Sequence, residues 1–356
     1  MLPEVLDEFV ATEQRCPANP ASSHAAGRRA RGVLEEARER IAKLFELPGG
    51  DVVFTSGGTE AANMAVRGLG NQELPVLISD VEHPAIRESA EQRGTSKWDI
   101  SEHGAAIVTA PIQKVGLVCL VHAQSEIGTL QDTQTAIEVA RNCDVPIVVD
   151  AAQTLGRVSI RELLASGAIV ALSPHKAGGL RGHGVLLGKR LEDQLHPLML
   201  GGGQEFGLRP GTQSPSLAAA NALAIEIAMT EQPQRAVTMA RNRKSFLEAL
   251  EGHSCSFRVL TPLAESVPNT LMLCFEDVDG RYLLPALDLA GVQASHGSAC
   301  SSGSMTAPKI LTAIGVDDAR ARACVRFSFD WQIRDEECAH AGEVVGNVLR
   351  RLRKKN

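Results

Sequence analysis

The chain has 356 residues, 44% hydrophobic and 22% charged, with a net charge of -6 and aromatics at only 3%. Those totals suit a globular protein with a full core and two domains, and they exclude the strongly basic balance of a nucleic-acid binder. No apolar run is long enough to span a bilayer and no signal segment opens the chain, so a cytoplasmic protein without membrane contact is expected.

The first helix in this reading lies within "SSHAAGRRARGVLEEARERIAKLFEL". There Val33, Leu34, Ala37, Ile41, Leu44 and Phe45 recur at helical spacing, and Pro48, Gly49 and Gly50 stop it. Short apolar strands then alternate with helices. "DVVFTS" leads through Gly57 and Gly58 into "TEAANMAVRGL", and "PVLIS" into "HPAIRESAEQ". "GLVCLVH" leads through "AQSEIG" to "TQTAIEVARNC", "VPIVVD" to "AAQTLG", and "AIVALSPHK" to "GHGVLLGKR". This rhythm predicts an α/β fold, a mostly parallel, doubly wound sheet. A helix from about Ser216 to Leu250 follows, with an interruption expected near Pro233. The boundary is set there, giving a large domain over 1–232 and a smaller α+β C-terminal domain over 233–356. The latter carries strand candidates "NTLMLCF" and "ACVRFSF". The closing "RRLRKKN" reads as a helix C-terminus whose cations complement the dipole, or as a patch for an acidic partner.

The eight cysteines, Cys16, Cys119, Cys143, Cys255, Cys274, Cys300, Cys324 and Cys338, form no C-x-x-C pair, and no H-x-x-x-H occurs. Reduced thiols and no metal site are expected. Cys300 stands apart from the others, because Ser298, Ala299, Ser301, Ser302 and Gly303 around it offer almost nothing to pack against.

In open α/β sheets, ligands collect beyond the carboxyl ends of strands, so the residues there carry the chemical reading. Gly57 and Gly58 between strand and helix can close backbone N–H groups on an anion, with Thr59 adding a hydroxyl; such a turn is also often only a turn. Asp150 ends an apolar strand, where a partly buried carboxylate needs a cation or else caps the next helix. Lys176 follows another strand between Ser173, His175 and two glycines, as a Schiff-base amine or as a surface lysine. Taken together, anion cradle, carboxylate and amine match one ligand, pyridoxal 5'-phosphate, which needs all three.

The segments "NPASSHAAGRRAR", "VVFTSGGTEAAN", "EHPAI", "SEIGTLQD", "VVDAAQTLG", "SPHK", "GGGQEFGLRPGT", "HGSACSSGS" and "VRFSF" occur in one order over nearly the whole chain. In this the chain resembles the cysteine desulfurases of the NifS/IscS type, within the aspartate-aminotransferase-like (fold type I) enzymes that use pyridoxal phosphate. The resemblance implies that Lys176 binds the cofactor aldehyde, Asp150 pairs with the ring nitrogen and Gln153 bonds the ring oxygen. It assigns Gly58, Thr59, Ser173 and His175 to the phosphate, and Thr212 to the phosphate of a neighbouring subunit, hence a homodimer. It places His83 on the ring face as an acid–base group, although His83 also reads as a helix cap before Pro84. Arg326 would clamp the carboxylate of L-cysteine, with Ser125 beside it. Cys300 would then take the substrate sulfur as a persulfide, leaving L-alanine, and carry it to a sulfur acceptor or iron–sulfur scaffold protein.

Three departures accompany this match. The chain begins where the family's opening strand and turn have already passed, so either a shortened start or a small domain without its first strand is expected. Ser125 replaces the family's asparagine, and Phe206 stands where a basic residue is common. Selenocysteine lyase, another fold type I enzyme, and a catalytically impaired homologue acting as a binding partner stay open as alternatives.

Overall fold

The computed structural model describes residues 1–253, 255–276, 278–297 and 308–353. Two compact units emerge: 1–98, 108–122 and 132–232 form the first, and 99–107, 123–131 and 233–356 the second. A single cut at 232 therefore misses two excursions. The reason is local packing in the second unit: Gly104 lies against Ile127 and Ile310, and Thr129 forms a β-bridge with Ser266.

The first unit contains α1 (Pro3–Arg15), α2 (Ala25–Leu44), β1 (Val52–Thr55), α3 (Gly58–Gly68), β2 (Val76–Ser79), α4 (Pro84–Glu91) and β3 (Thr95–Trp98). It continues with β4 (Leu117–Val121), α5 (Thr133–Asn142), β5 (Ile147–Asp150), α6 (Arg161–Ala165), β6 (Ile169–Leu172), β7 (Gly184–Leu187) and α7 (Leu191–Gln194). The sheet order is β1-β7-β6-β5-β4-β2-β3. Strands β6, β5, β4, β2 and β3 are parallel neighbours, while β7 runs antiparallel to both β6 and β1. The connection from β6 to β7, residues 173–183, contains no helix beyond the 3₁₀ turn Pro174–Ala177 and is shorter than a parallel crossover needs. Every residue of β1, β2, β4, β5, β6 and β7 is buried, which explains continuous apolar runs in place of alternation.

Three sequence expectations need correction. Helix α1 precedes the one expected to be first; it buries only Val5 and Thr12, so its periodicity is faint. Strand β3 was not foreseen, because this edge strand is polar and half-exposed except at Trp98. Helix α8 runs unbroken over Pro215–Glu251 with Pro233 inside it, so the expected interruption is absent although the unit boundary falls at that proline.

In the second unit, β8 (Phe257–Val259), β9 (Thr270–Phe275), α9 (Gly280–Leu289), α10 (Lys309–Ala313), α11 (Asp318–Ala321), β10 (Cys324–Ser328) and α12 (Asp335–Leu352) follow α8. The antiparallel sheet runs β10-β9-β8. Its core gathers Phe246, Leu273, Phe275, Leu283, Val325 and Phe327. No helix among the described residues is long and apolar enough to cross a membrane.

Candidate functional site

Because β1 is antiparallel to β7 and β7 to β6, β1 points the same way as the parallel strands. The carboxyl ends of β1, β2, β4, β5 and β6 therefore share one edge of the first unit. Asp150 is the last residue of β5, and Gly58, Thr59, His83, Gln153, Ser173, His175 and Lys176 follow those ends.

Gly58 opens α3, and the first N–H groups of a helix have no intrahelical acceptor and favour an anion. Backbone and side chain meet closely here: a Cβ on Gly58 would collide with the Ser173 Oγ. Only glycine lets the two approach, and Thr59 beside it is exposed. His175 is exposed at the edge of the same turn. Partial desolvation, then the cations Lys176 and Arg181, push it below the ordinary histidine range.

Lys176 is half-buried on the 3₁₀ turn, where its N–H donates to the Ser173 carbonyl at 3.0 Å. Gly178 closes the turn at φ 108°, the left-handed region, and its carbonyl accepts from the Leu2 N–H at 2.8 Å. A side chain at 178 would also strike Leu2.

Asp150 is buried, with Oδ1 accepting from the Ala152 N–H at 2.9 Å. It does cap its turn, yet among the described residues no cation forms an ion pair with it. A desolvated carboxylate in that state fits a protonated ring nitrogen. Nearby Glu82 is also buried. Its Oε1 accepts from the Ser79 hydroxyl at 3.0 Å, and its Oε2 has no partner among the described residues. Burial, aided by the Asp150 charge and only partly countered by Ser79, pushes the Glu82 carboxyl up to about 8. Glu82 thus favours its neutral, protonated form at pH 7.

His83 caps α4, its Nδ1 accepting from the Ala85 N–H at 3.1 Å, which puts the proton of the neutral ring on Nε2. Gln153 is half-buried, and Arg157, overlooked by the motif reading, donates to it. Thr212 is exposed on the loop 203–213. That loop is anchored by the buried pair Arg38–Glu205 at 2.7 and 2.8 Å and by Arg209–Glu60 at 2.9 Å. Phe206 holds a left-handed φ of 60° with its ring 5.0 Å from the Arg38 guanidinium carbon, so it faces a cation of its own chain.

Arg326 and Ser125 belong to the second unit. On β10, Arg326 pairs with Met272 on one side and forms a bridge to Ser295 on the other. Its Nη1 donates to the Ser125 carbonyl at 2.9 Å, so the contact uses the backbone and not the hydroxyl. Its Nε is buried without a partner among the described residues, an edge suited to a carboxylate. The Gln124 side chain folds the segment by accepting from the N–H groups of Glu126 and Ile127 at 2.6 and 2.8 Å. Cys300, with Ser298, Ala299, Ser301, Ser302 and Gly303, lies outside the described residues. The seven described cysteines are free thiols, and no cluster of three metal-ligating side chains occurs among the described residues.

Comparison with known proteins adds the family context. The Aminotransferase class-V family matches over residues 1–339. The chain is 31% identical to cysteine desulfurase IscS of Dictyoglomus turgidum, across 94% of this chain and 88% of that protein. It is 30% identical to cysteine desulfurase IscS 1 of Archaeoglobus fulgidus, across 99% and 93%. Among solved structures, a NifS-like protein superposes with a TM-score of 0.86 at 26% identity, covering 99% of this chain and 97% of that one. DndA from Streptomyces lividans gives 0.77 at 29% identity, over 92% and 96%.

Proposed function

The chain belongs to the class-V aminotransferase family, among relatives of the IscS cysteine desulfurases, and from that premise we propose that it desulfurates L-cysteine to L-alanine with pyridoxal 5'-phosphate. The observation that carries this reading is the gathering, in one unit, of a glycine–serine anion cradle, an unpaired buried carboxylate and a half-buried lysine. When bound, the cofactor supplies an aldehyde and a protonated ring that withdraw electrons from the substrate Cα. Lys176 would hold the cofactor aldehyde and, once the substrate amine has displaced it, would take the Cα proton. Asp150 would keep the ring nitrogen protonated, and Gln153 would donate to the ring oxygen. Gly58, Thr59, Ser173 and His175 bind the phosphate, with Thr212 of a second copy in a homodimer completing the set. His83, with its Nδ1 committed to the Ala85 N–H, would serve the ring as an acid–base group. Arg326 binds the substrate carboxylate through Nε, while its Nη1 stays on the Ser125 backbone.

Cys300 acts as the sulfur acceptor in this reading: an S–S bond forms from its thiolate as the substrate C–S bond breaks. The persulfide then passes to an acceptor or iron–sulfur scaffold protein, in the cytoplasm. Mass spectrometry after incubation with L-cysteine tests this. One extra sulfur on the Cys300 peptide is expected, and Cys300→Ala should keep the visible chromophore but release no sulfide. Undiminished sulfide release from that variant would reject the persulfide route.

A further inference from the structure

Arg157 lies between two residues that the motifs selected for separate reasons. It ends the turn after β5, and its own carbonyl accepts from the Gln232 Nε2 at 3.1 Å. One arm of its guanidinium, Nη1, donates to the Gln153 carbonyl at 2.7 Å and to the Gln153 Oε1 at 3.4 Å. The other arm, Nη2, donates to the Lys176 carbonyl at 2.8 Å. A single planar group thus spans the glutamine assigned to the ring oxygen and the lysine assigned to the aldehyde.

Two physical consequences follow. A side-chain amide has an accepting end and a donating end of nearly equal shape, so its neighbours decide which faces where. A guanidinium only donates. Arg157 therefore draws the Gln153 oxygen toward itself and leaves the NH₂ group as the end available to an acceptor such as a phenolic oxygen. On its other side, a bond to the Lys176 carbonyl fixes the peptide plane that follows the lysine on a turn only four residues long. The same bond brings a fixed cation to the residue that carries the amine, and like charges disfavour one another.

We propose that Arg157 is a positioning residue, which with one guanidinium sets the amide end that Gln153 presents and the peptide from which Lys176 reaches the cofactor. The proposal rests on the pyridoxal phosphate reading and adds to it a residue that no motif selected. Lysine cannot replace it in full, because an ammonium is a point charge without the planar fork that reaches two partners.

The test uses Arg157→Met and Arg157→Lys with two measurements. The first is the pH dependence of Lys176 acylation by an amine-reactive reagent in the cofactor-free protein, read by mass spectrometry. The second is the visible absorbance and affinity for added pyridoxal 5'-phosphate. Arg157→Met should raise the labelling midpoint of Lys176 by about one pH unit, and weaken cofactor binding roughly tenfold through the lost orientation of Gln153. Arg157→Lys should restore the labelling midpoint but not the affinity, and adding Gln153→Ala to it should weaken binding no further. A wild-type midpoint and a wild-type affinity in Arg157→Met would overturn the proposal. An Arg157→Lys protein equal to wild type in both would overturn the two-partner geometry. Should Arg157→Met fail to fold, the Arg157→Lys affinity and its epistasis with Gln153→Ala decide the matter. A wild-type chain that forms no chromophore rejects the cofactor reading instead, and the labelling arm still reports on Arg157.

Discussion

In the first unit, the groups with chemistry sit within a few residues of a strand end, each held by a turn or cap built from its immediate neighbours. Lys176 bonds back to Ser173, Asp150 to Ala152 and His83 to Ala85. In the second unit, Arg326 meets the Ser125 backbone across 201 positions of sequence. The contrast teaches that the candidate cofactor groups are held by local contacts, whereas the candidate substrate arginine is held by a contact between distant segments. Local constellations survive as readable motifs; a distant pair leaves two unrelated residues.

The hardest blow to the first unit is Lys176→Ala. Loss of the chromophore and a fall in sulfide release of at least about a thousandfold are expected, the scale on which removing a covalent nucleophile acts. The Arg157 bond uses the lysine carbonyl and should persist, so the melting temperature should change little. A coloured, active Lys176→Ala protein would end the local-cofactor account.

The matching blow to the second unit is Arg326→Met. Losing charge-assisted bonds to a carboxylate should lower kcat/KM roughly ten- to hundredfold, mostly through KM, with the chromophore intact. Equal loss of the chromophore would erase the distinction between the units.

Glu82→Gln sharpens the picture of the Asp150 surroundings. The folded-state carboxyl titrates at about 8 against an ordinary 4.5, so the native state holds a proton that the unfolded chain releases. Its contribution to stability is complete below pH 4.5 and is lost as pH rises to about 8, with a slope on the order of 1 kcal/mol per pH unit. Glutamine removes that slope, so denaturant melts from pH 5 to 8 should show the variant gaining on wild type as pH rises. Parallel profiles would mean that Glu82 is ionised in the native protein.

Ser125→Ala is the smallest change. Arg326 bonds the carbonyl, which alanine keeps, so kcat/KM should stay within about twofold. A large drop would give the hydroxyl the role that the family's asparagine has at this position.

The α/β fold is legible in the sequence because buried strands are apolar throughout and glycines mark the turns between them. Gly58, Asp150, Ser173 and Lys176 stand out as candidates because each lies at or just after a strand end. Helix α1, with two buried positions, and β3, a polar edge strand, lack a strong pattern. No break occurs at Pro233, where helical context on both sides outweighs one missing N–H. Arg157 and Glu82 carried no signal that distinguishes them from surface charges.

What the sequence indicated alone was the alternation of buried strands and helices in the first unit and the candidate residues at the strand ends, since both depend on residues adjacent along the chain. Tertiary structure alone decided that 99–107 and 123–131 join the second unit, that Arg326 faces a backbone carbonyl, and that Arg157 spans Gln153 and Lys176. Burial decided the charge on Glu82, because the cost of ionising a carboxyl depends on what surrounds it, and those surroundings come from three strands far apart in sequence.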